Sequence, residues 1–168
     1  MKRLLAALFL GLVVALVGAS GVASADPQQD LVSGTGHFVE VGVFDAEIHV
    51  NAQSGPSGED PQGHFFVTQE TKGGVADADF SGRVTCVNVN GNLAGVGGEV
   101  TKSKNPSIAE GSGFLFSIED RGPGEQDAGL AMLTSVPPEE PPTDCSFVFT
   151  AETQKGNFVV HDALPAMP

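Results

Sequence analysis

Phe44 to Ala52 (FDAEIHVNA) alternates without a break. Phe44, Ala46, Ile48, Val50 and Ala52 are apolar, and Asp45, Glu47, His49 and Asn51 between them are polar. A strand sends successive side chains to opposite faces, so this period predicts a half-buried β-strand. No later segment carries the 3.6-residue period of an amphipathic helix over a useful length. The chain is therefore constrained to sheet.

The same short runs recur along the chain, separated by Gly, Pro, Asn and Asp clusters, the signature of an all-β sandwich or barrel. Thr35 to Val41 is expected as a first strand, with Gly42 marking a bulge or bend before the second. Gln53 to Gly63 is loop by composition, and Gly63 to Gln69 a short strand. A loop over KGGVADAD, which ends at Asp79, leads to a hairpin between Ser81 and Gly98. A polar stretch from Lys102 to Ser112 precedes a strand in GFLFSIED, with Phe114, Phe116 and Ile118 on one face. Arg121 to Asp127 turns the chain into AGLAMLTS. VPPEEPPTDC is extended, because consecutive prolines cannot feed a central strand. CSFVFTAE and GNFVVHD, joined by TQKG, complete about nine strands. The expected fold is one antiparallel β-sandwich or small β-barrel over residues 26–168.

The strongest local signal is Val89-Asn90-Gly91-Asn92. Asn-Gly suits a type I′ turn, which needs positive φ at both central residues. With Asn90-Gly91 as the turn, Cys86 faces Gly95; with Gly91-Asn92, it faces Gly97. Either register sets a glycine across from the cysteine.

The N-terminus supplies the compartment. Lys2 and Arg3 precede an apolar run from Leu4 to Val17, and Ala23-Ser24-Ala25 fits an A-x-A cleavage site. Residues 1–25 read as a secretory signal peptide, not a membrane anchor, because Gly and Ser break the apolar run before it reaches spanning length. Asp26, where a lipoprotein would carry Cys, then begins a mature chain of secreted or extracellular address. The whole chain has a formal charge of −13, and losing Lys2 and Arg3 leaves six basic residues against 21 acidic ones. With no basic cluster, nucleic acid and anionic lipid are poor partners. The aromatic residues are 11 Phe with no Trp or Tyr, which favours core over a sugar-stacking platform.

In an exported chain, two cysteines favour a Cys86–Cys145 disulfide; free or intermolecular thiols and metal ligation are the alternatives. Neither cysteine has the neighbouring Cys or His that zinc requires. His37, His49, His64 and His161 sit at no short ligand spacing. Asp45, Glu47 and His49 are the candidates if a hydrolase site assembles only through the fold. Asp77, Asp79, Glu119, Asp120 and Asp127 are candidate calcium ligands on acidic loops, though no stretch matches the calcium loop D-x-[DN]-x-[DN]-G-x₅-E. Arg121 is expected to neutralise a neighbouring carboxylate. The mature chain contains no G-x-S-x-G, no phosphate-binding loop and no dinucleotide fingerprint.

PSGEDPQGHFFV, SGRVTCVNVNGNLAGVGG, FSIEDRGPGEQD, PPTDC and GNFVVHDA, taken in order, resemble a module of secreted bacterial, notably actinobacterial, proteins to which no activity is assigned. The likeness spans about Gly34 to Ala163 and rests on a V-x-G-N-x-A hairpin, a D-x-G-x-G turn and a closing G-N-x-x-V-H-D. It implies export and an all-β fold and carries over no catalytic residue. The expected function is a secreted, non-enzymatic binding or surface domain with no cofactor unless calcium, and an extracellular or cell-envelope ligand. A secreted hydrolase and a calcium-dependent module are the alternatives.

Overall fold

The structure, a computed structural model, describes residues 29–40, 44–70, 78–137, 139–146, 151–152 and 155–163. Gly42, Asp77 and the leader lie outside the described residues. Nine strands follow in chain order: β1 (Asp30–Glu40), β2 (Phe44–Ser54), β3 (Gln62–Glu70), β4 (Ala78–Asn90), β5 (Leu93–Ser103), β6 (Gly113–Glu119), β7 (Ala128–Ser135), β8 (Ala151–Glu152) and β9 (Lys155–His161). Eight have seven residues or more; β8 is a two-residue pairing with Ala128 and Gly129. No helix occurs among the described residues, so none is long and apolar enough to cross a membrane.

β1 to β8 run as an antiparallel meander, and β9 returns to pair with β1, giving the order β8-β7-β6-β5-β4-β3-β2-β1-β9. This is a single curled sheet, a half-barrel, and not two facing sheets. The curl is legible in one contact. Phe65 on β3 and Phe116 on β6 are three strand spacings apart, about 14 Å in a flat sheet, yet their ring centroids are 5.0 Å apart. Phe65 also meets Phe80 and Phe114, each at 6.4 Å, on the concave face. Val32, Ile48, Val50, Val67, Val87, Val96, Val100, Ile118 and Phe158 complete that core. Apolar burial on this scale, about 1.5–3 kcal/mol for each large side chain, is the main force holding the sheet in its curl.

β2 follows its alternation: Ala46, Ile48, Val50 and Ala52 are buried, and Glu47, His49 and Asn51 are exposed. Four expectations need correction. The first strand begins at Asp30, where pairing with Ser54 starts, because β9 and β2 extend the ladder on both sides. β5 continues to Ser103, into the stretch read as loop, since Ser81 and Phe80 supply partners for Lys102 and Ser103. Of CSFVFTAE, Cys145 and Ser146 are outside any strand, Ala151–Glu152 are in β8, and 147–150 lie outside the described residues. The hairpin turn is Gly91-Asn92, with Asn90 opposite Leu93. Gly91 has φ +62° and Asn92 is not left-handed, the pattern of a type II′ turn, which takes glycine first.

Bulges re-aim β4. Val84 faces Gly98 and Cys86 faces Gly97, so Thr85 is the extra residue. In a regular strand Cys86, two residues on, would share the concave face of Val84. With the bulge, Cys86 is turned to the convex face and Val87 takes the inner position. There the Sγ atoms of Cys86 and Cys145 lie 2.06 Å apart, at disulfide distance. The Pro-rich segment ending at Cys145 thus crosses β4, β5 and β6 as a strap. Gly95, Gly97 and Gly113 make the path: a Cβ on Gly95 would meet the Cys145 carbonyl, one on Gly97 both sulfurs, and one on Gly113 the Pro142 ring. Thr85 Oγ1 donates to the Pro142 carbonyl at 2.6 Å, and Asn88 Nδ2 to that of Cys145 at 3.3 Å. Leu115 is buried beneath the two cysteines.

Candidate functional site

Among the described residues the concave face carries the apolar core, with Phe65, Phe80, Phe114 and Phe116 in mutual contact, and the polar side chains gather on the convex face and at the strand ends. On the convex face the register assembles polar rows across strands. Thr35 on β1 stands opposite His49 on β2, and His49 opposite Phe66 on β3. In the next row His37 stands opposite Glu47, and Glu47 opposite Thr68. A third row runs from Ser33 through Asn51 and His64 to Arg83. By the register all four histidines fall on the convex face, His161 on β9 opposite Leu31 and the other three on β1, β2 and β3, although no two are close in sequence.

His49 is the centre of this cluster. Its Nδ1 is 2.9 Å from Thr35 Oγ1, in a hydrogen bond whose direction follows the imidazole tautomer. Its Nε2 is 3.4 Å from Glu47 Oε1. The ring lies 6.2 Å from that of Phe66 at a tilt. Beside it a cleft of about 250 Å³ is lined by Thr35, His37, Glu47 and Gly156. Gly156, opposite Gly36 across the β1–β9 ladder, borders the cleft on the β9 side. The His49 and Glu47 side chains are 48 % and 50 % exposed, so water competes for every polar bond in the row. Phe66 is 40 % exposed, an exception to the expectation that phenylalanine serves the core.

Of the hydrolase candidates, Glu47 and His49 come together here, and Asp45 pairs with Val39 and Glu70 further along β2. Sequence reading passed over Thr35 and His37 as partners. Their signal was present: Thr35 and His37 are two apart on β1, as Glu47 and His49 are on β2. Only the register joins the pairs.

The acidic loop candidates are deployed differently. Asp120 accepts the Gly122 N–H on Oδ1 at 2.8 Å and the Val160 N–H on Oδ2 at 3.1 Å. Asp127, buried, accepts the Arg121 N–H on Oδ1 at 3.0 Å and the Phe158 N–H on Oδ2 at 2.7 Å. Phe158 and Val160 are alternate residues of β9, so these carboxylates occupy N–H groups along its edge away from β1. Glu119 takes the Arg121 guanidinium at 3.1 Å, the neutralisation expected of Arg121. Asp79 is distant from this turn and pairs with Lys104 Nζ at 2.8 Å, which raises the lysine pKa above its ordinary value. Asp77 lies outside the described residues. Among the described residues no group of three or more His, Cys, Asp or Glu side chains is placed to hold a metal ion.

Asp30 and Asp162 tie down the end of the chain. Asp30 is buried and accepts the Ala163 N–H at 3.0 Å. Burial pushes its carboxyl above the usual range, the Ala163 N–H pulls it back, and the charges of Asp162 and Glu59 push it up further. Asp162 accepts the Gly91 N–H at 2.7 Å, linking the β4–β5 turn to the residues after β9.

Comparison with known proteins finds no protein-family model, no curated protein and no solved structure that matches this chain.

Proposed function

We propose that this chain is an exported, non-catalytic β-domain that binds an extracellular or cell-envelope ligand on the convex face of β9, β1, β2 and β3. The observation that carries the reading is the cross-strand cleft at Thr35, His37, Glu47 and Gly156, set against a concave face packed with phenylalanine. The cleft offers an imidazole, a hydroxyl and a carboxylate to a polar ligand. Export, with loss of residues 1–25, rests on Lys2, Arg3, the Leu4–Val17 run and Ala23-Ser24-Ala25. The likeness to secreted bacterial modules agrees with that address. The acidic balance weighs against a nucleic-acid partner.

The test is co-sedimentation of the exported protein with isolated bacterial cell-envelope fragments. The triple variant T35A/H37A/E47A is expected to stay in the supernatant while melting like the wild type. Equal pelleting of the two would remove the cleft from the reading. Intact mass of the exported protein reads the cleavage after Ala25 in the same experiment.

A second reading, a hydrolase, is favoured by the Glu47–His49–Thr35 line, a carboxylate, an imidazole and a hydroxyl in sequence. It ranks below binding because the line is half in water and loosely held. Hydrolysis of a simple aryl ester, abolished by T35A and by H49A separately, would reverse the order. Calcium dependence ranks third, since Asp120 and Asp127 already serve backbone N–H groups; a melting temperature raised by calcium over chelator would revive it.

A further inference from the structure

The Asn90-Gly91 step, where β4 enters its hairpin turn, has a chemical property that neither the core nor the cleft uses. It is the single Asn-Gly step in the sequence. Both residues are exposed, and a Cβ built on Gly91 would meet nothing within 4 Å. Such a step is open to intramolecular attack. The Gly91 backbone nitrogen adds to the Asn90 side-chain carbonyl carbon, the C–N bond of the amide breaks, and ammonia leaves. The resulting five-membered succinimide is opened by water, giving aspartate or isoaspartate. Glycine favours this because no Cβ hinders the approach.

The structure adds a guard to this reaction. Gly91 N, the attacking atom, donates its hydrogen to Asp162 Oδ2 at 2.7 Å. Attack requires that nitrogen to give up its proton. An N–H held by a carboxylate keeps its proton, and the adjacent negative charge opposes an amide anion. We propose that Asn90 is a self-modification site of this protein, and that Asp162 sets the rate by holding the Gly91 nitrogen. The consequence is local and directional. Isoaspartate adds a methylene to the main chain beside the two-residue turn, so the Asn90–Leu93 pairing and the Gly91–Asp162 tie cannot both persist. Either product also places a new carboxylate near Asp162. Modification therefore loosens the chain end that Asp30 and Asp162 hold.

The experiment ages the exported, disulfide-intact protein at neutral pH and body temperature. Peptide mass mapping then follows the amide-to-acid change and isoaspartate at Asn90. Relative to wild type, D162A is expected to accumulate product roughly tenfold faster, the effect of losing one charge-assisted hydrogen bond on the attacking atom. D162N, which keeps an acceptor without the charge, is expected between the two. Amide exchange at Phe158 and Val160 is read in parallel and is expected to be unchanged. Three results would overturn the proposal: no product at Asn90 in D162A, a rate equal to or below wild type, or acceleration accompanied by faster exchange along β9. The last would mean general loosening and no specific guard.

Discussion

The strap and the last strand are both fastened to the sheet by groups outside the usual ladder, and the two fastenings use opposite chemistry. The strap is held across β4–β6 by a sulfur pair, three glycines that let it lie against the backbone, and donors from Thr85 and Asn88. β9 pairs with β1 on one edge and on the other gives Phe158 and Val160 N–H to Asp127 and Asp120. The first fastening is indifferent to acid and open to reductant. The second uses no sulfur and rests on carboxylate oxygens that accept backbone N–H groups, so it is indifferent to reductant. The difference shows two ways in which groups outside the ladder fasten segments to one curled sheet.

Four measurements test that contrast. Replacing both cysteines (C86S/C145S) is expected to lower stability most, by about 4 kcal/mol on the chain-entropy estimate for a 59-residue separation. Urea denaturation of the wild type in reductant should show the same loss. A reduced wild type as stable as the oxidised one would show that the sulfurs do not fasten the strap.

D127A comes next. It strands the buried Phe158 N–H and leaves the Arg121 N–H without its carboxylate, a loss of about 2–3 kcal/mol. Hydrogen exchange should quicken at Phe158 and not at Cys145. Equal quickening at both positions would show that the flanks are coupled.

G95A is expected to cost about 1–3 kcal/mol by pushing the new methyl into the Cys145 carbonyl. In the C86S/C145S background the released strap can yield, so the two changes should be less than additive. Full additivity would mean that the strap stays seated without its sulfurs.

The smallest effect is D30N. Burial raises the folded pKa of Asp30 above its unfolded value. The protonated form is thus favoured in the fold, and its contribution is present below the unfolded pKa and lost as pH rises through the raised one. The amide of D30N cannot ionise and keeps a carbonyl acceptor for the Ala163 N–H. The melting temperature of D30N should therefore fall less than that of wild type as pH rises from about 3 to about 6. Parallel curves would show that Asp30 titrates alike in both states.

Much of the sheet is readable from short stretches. Phe44 to Ala52 assigns its own inner and outer faces, and Val89 to Asn92 places a tight turn within one residue. The cysteine pair is expected from the even count in a chain read as exported, and the two sulfurs lie at disulfide distance. The bulge at Thr85 is not readable, because Val84-Thr85-Cys86-Val87-Asn88-Val89 carries apolar side chains in both alternating sets. The choice between them needs Gly97, Phe65 and the strap. The cleft is hidden for a similar reason: Thr35 and His49 meet only once the register of β1 on β2 is known. Asp120 and Asp127 looked like loop ligands, and besides a local N–H each accepts one from β9, 40 and 31 positions away.

Periodicity and turn chemistry act between residues a few positions apart, so the linear chain already holds the all-β fold, the strand faces and the hairpin. The curl, the outward turn of Cys86, the polar cleft and the work given to each carboxylate belong to the folded molecule. Each depends on which distant strand supplies the missing partner, and that is settled by packing phenylalanines from β3, β4 and β6 into one concave core.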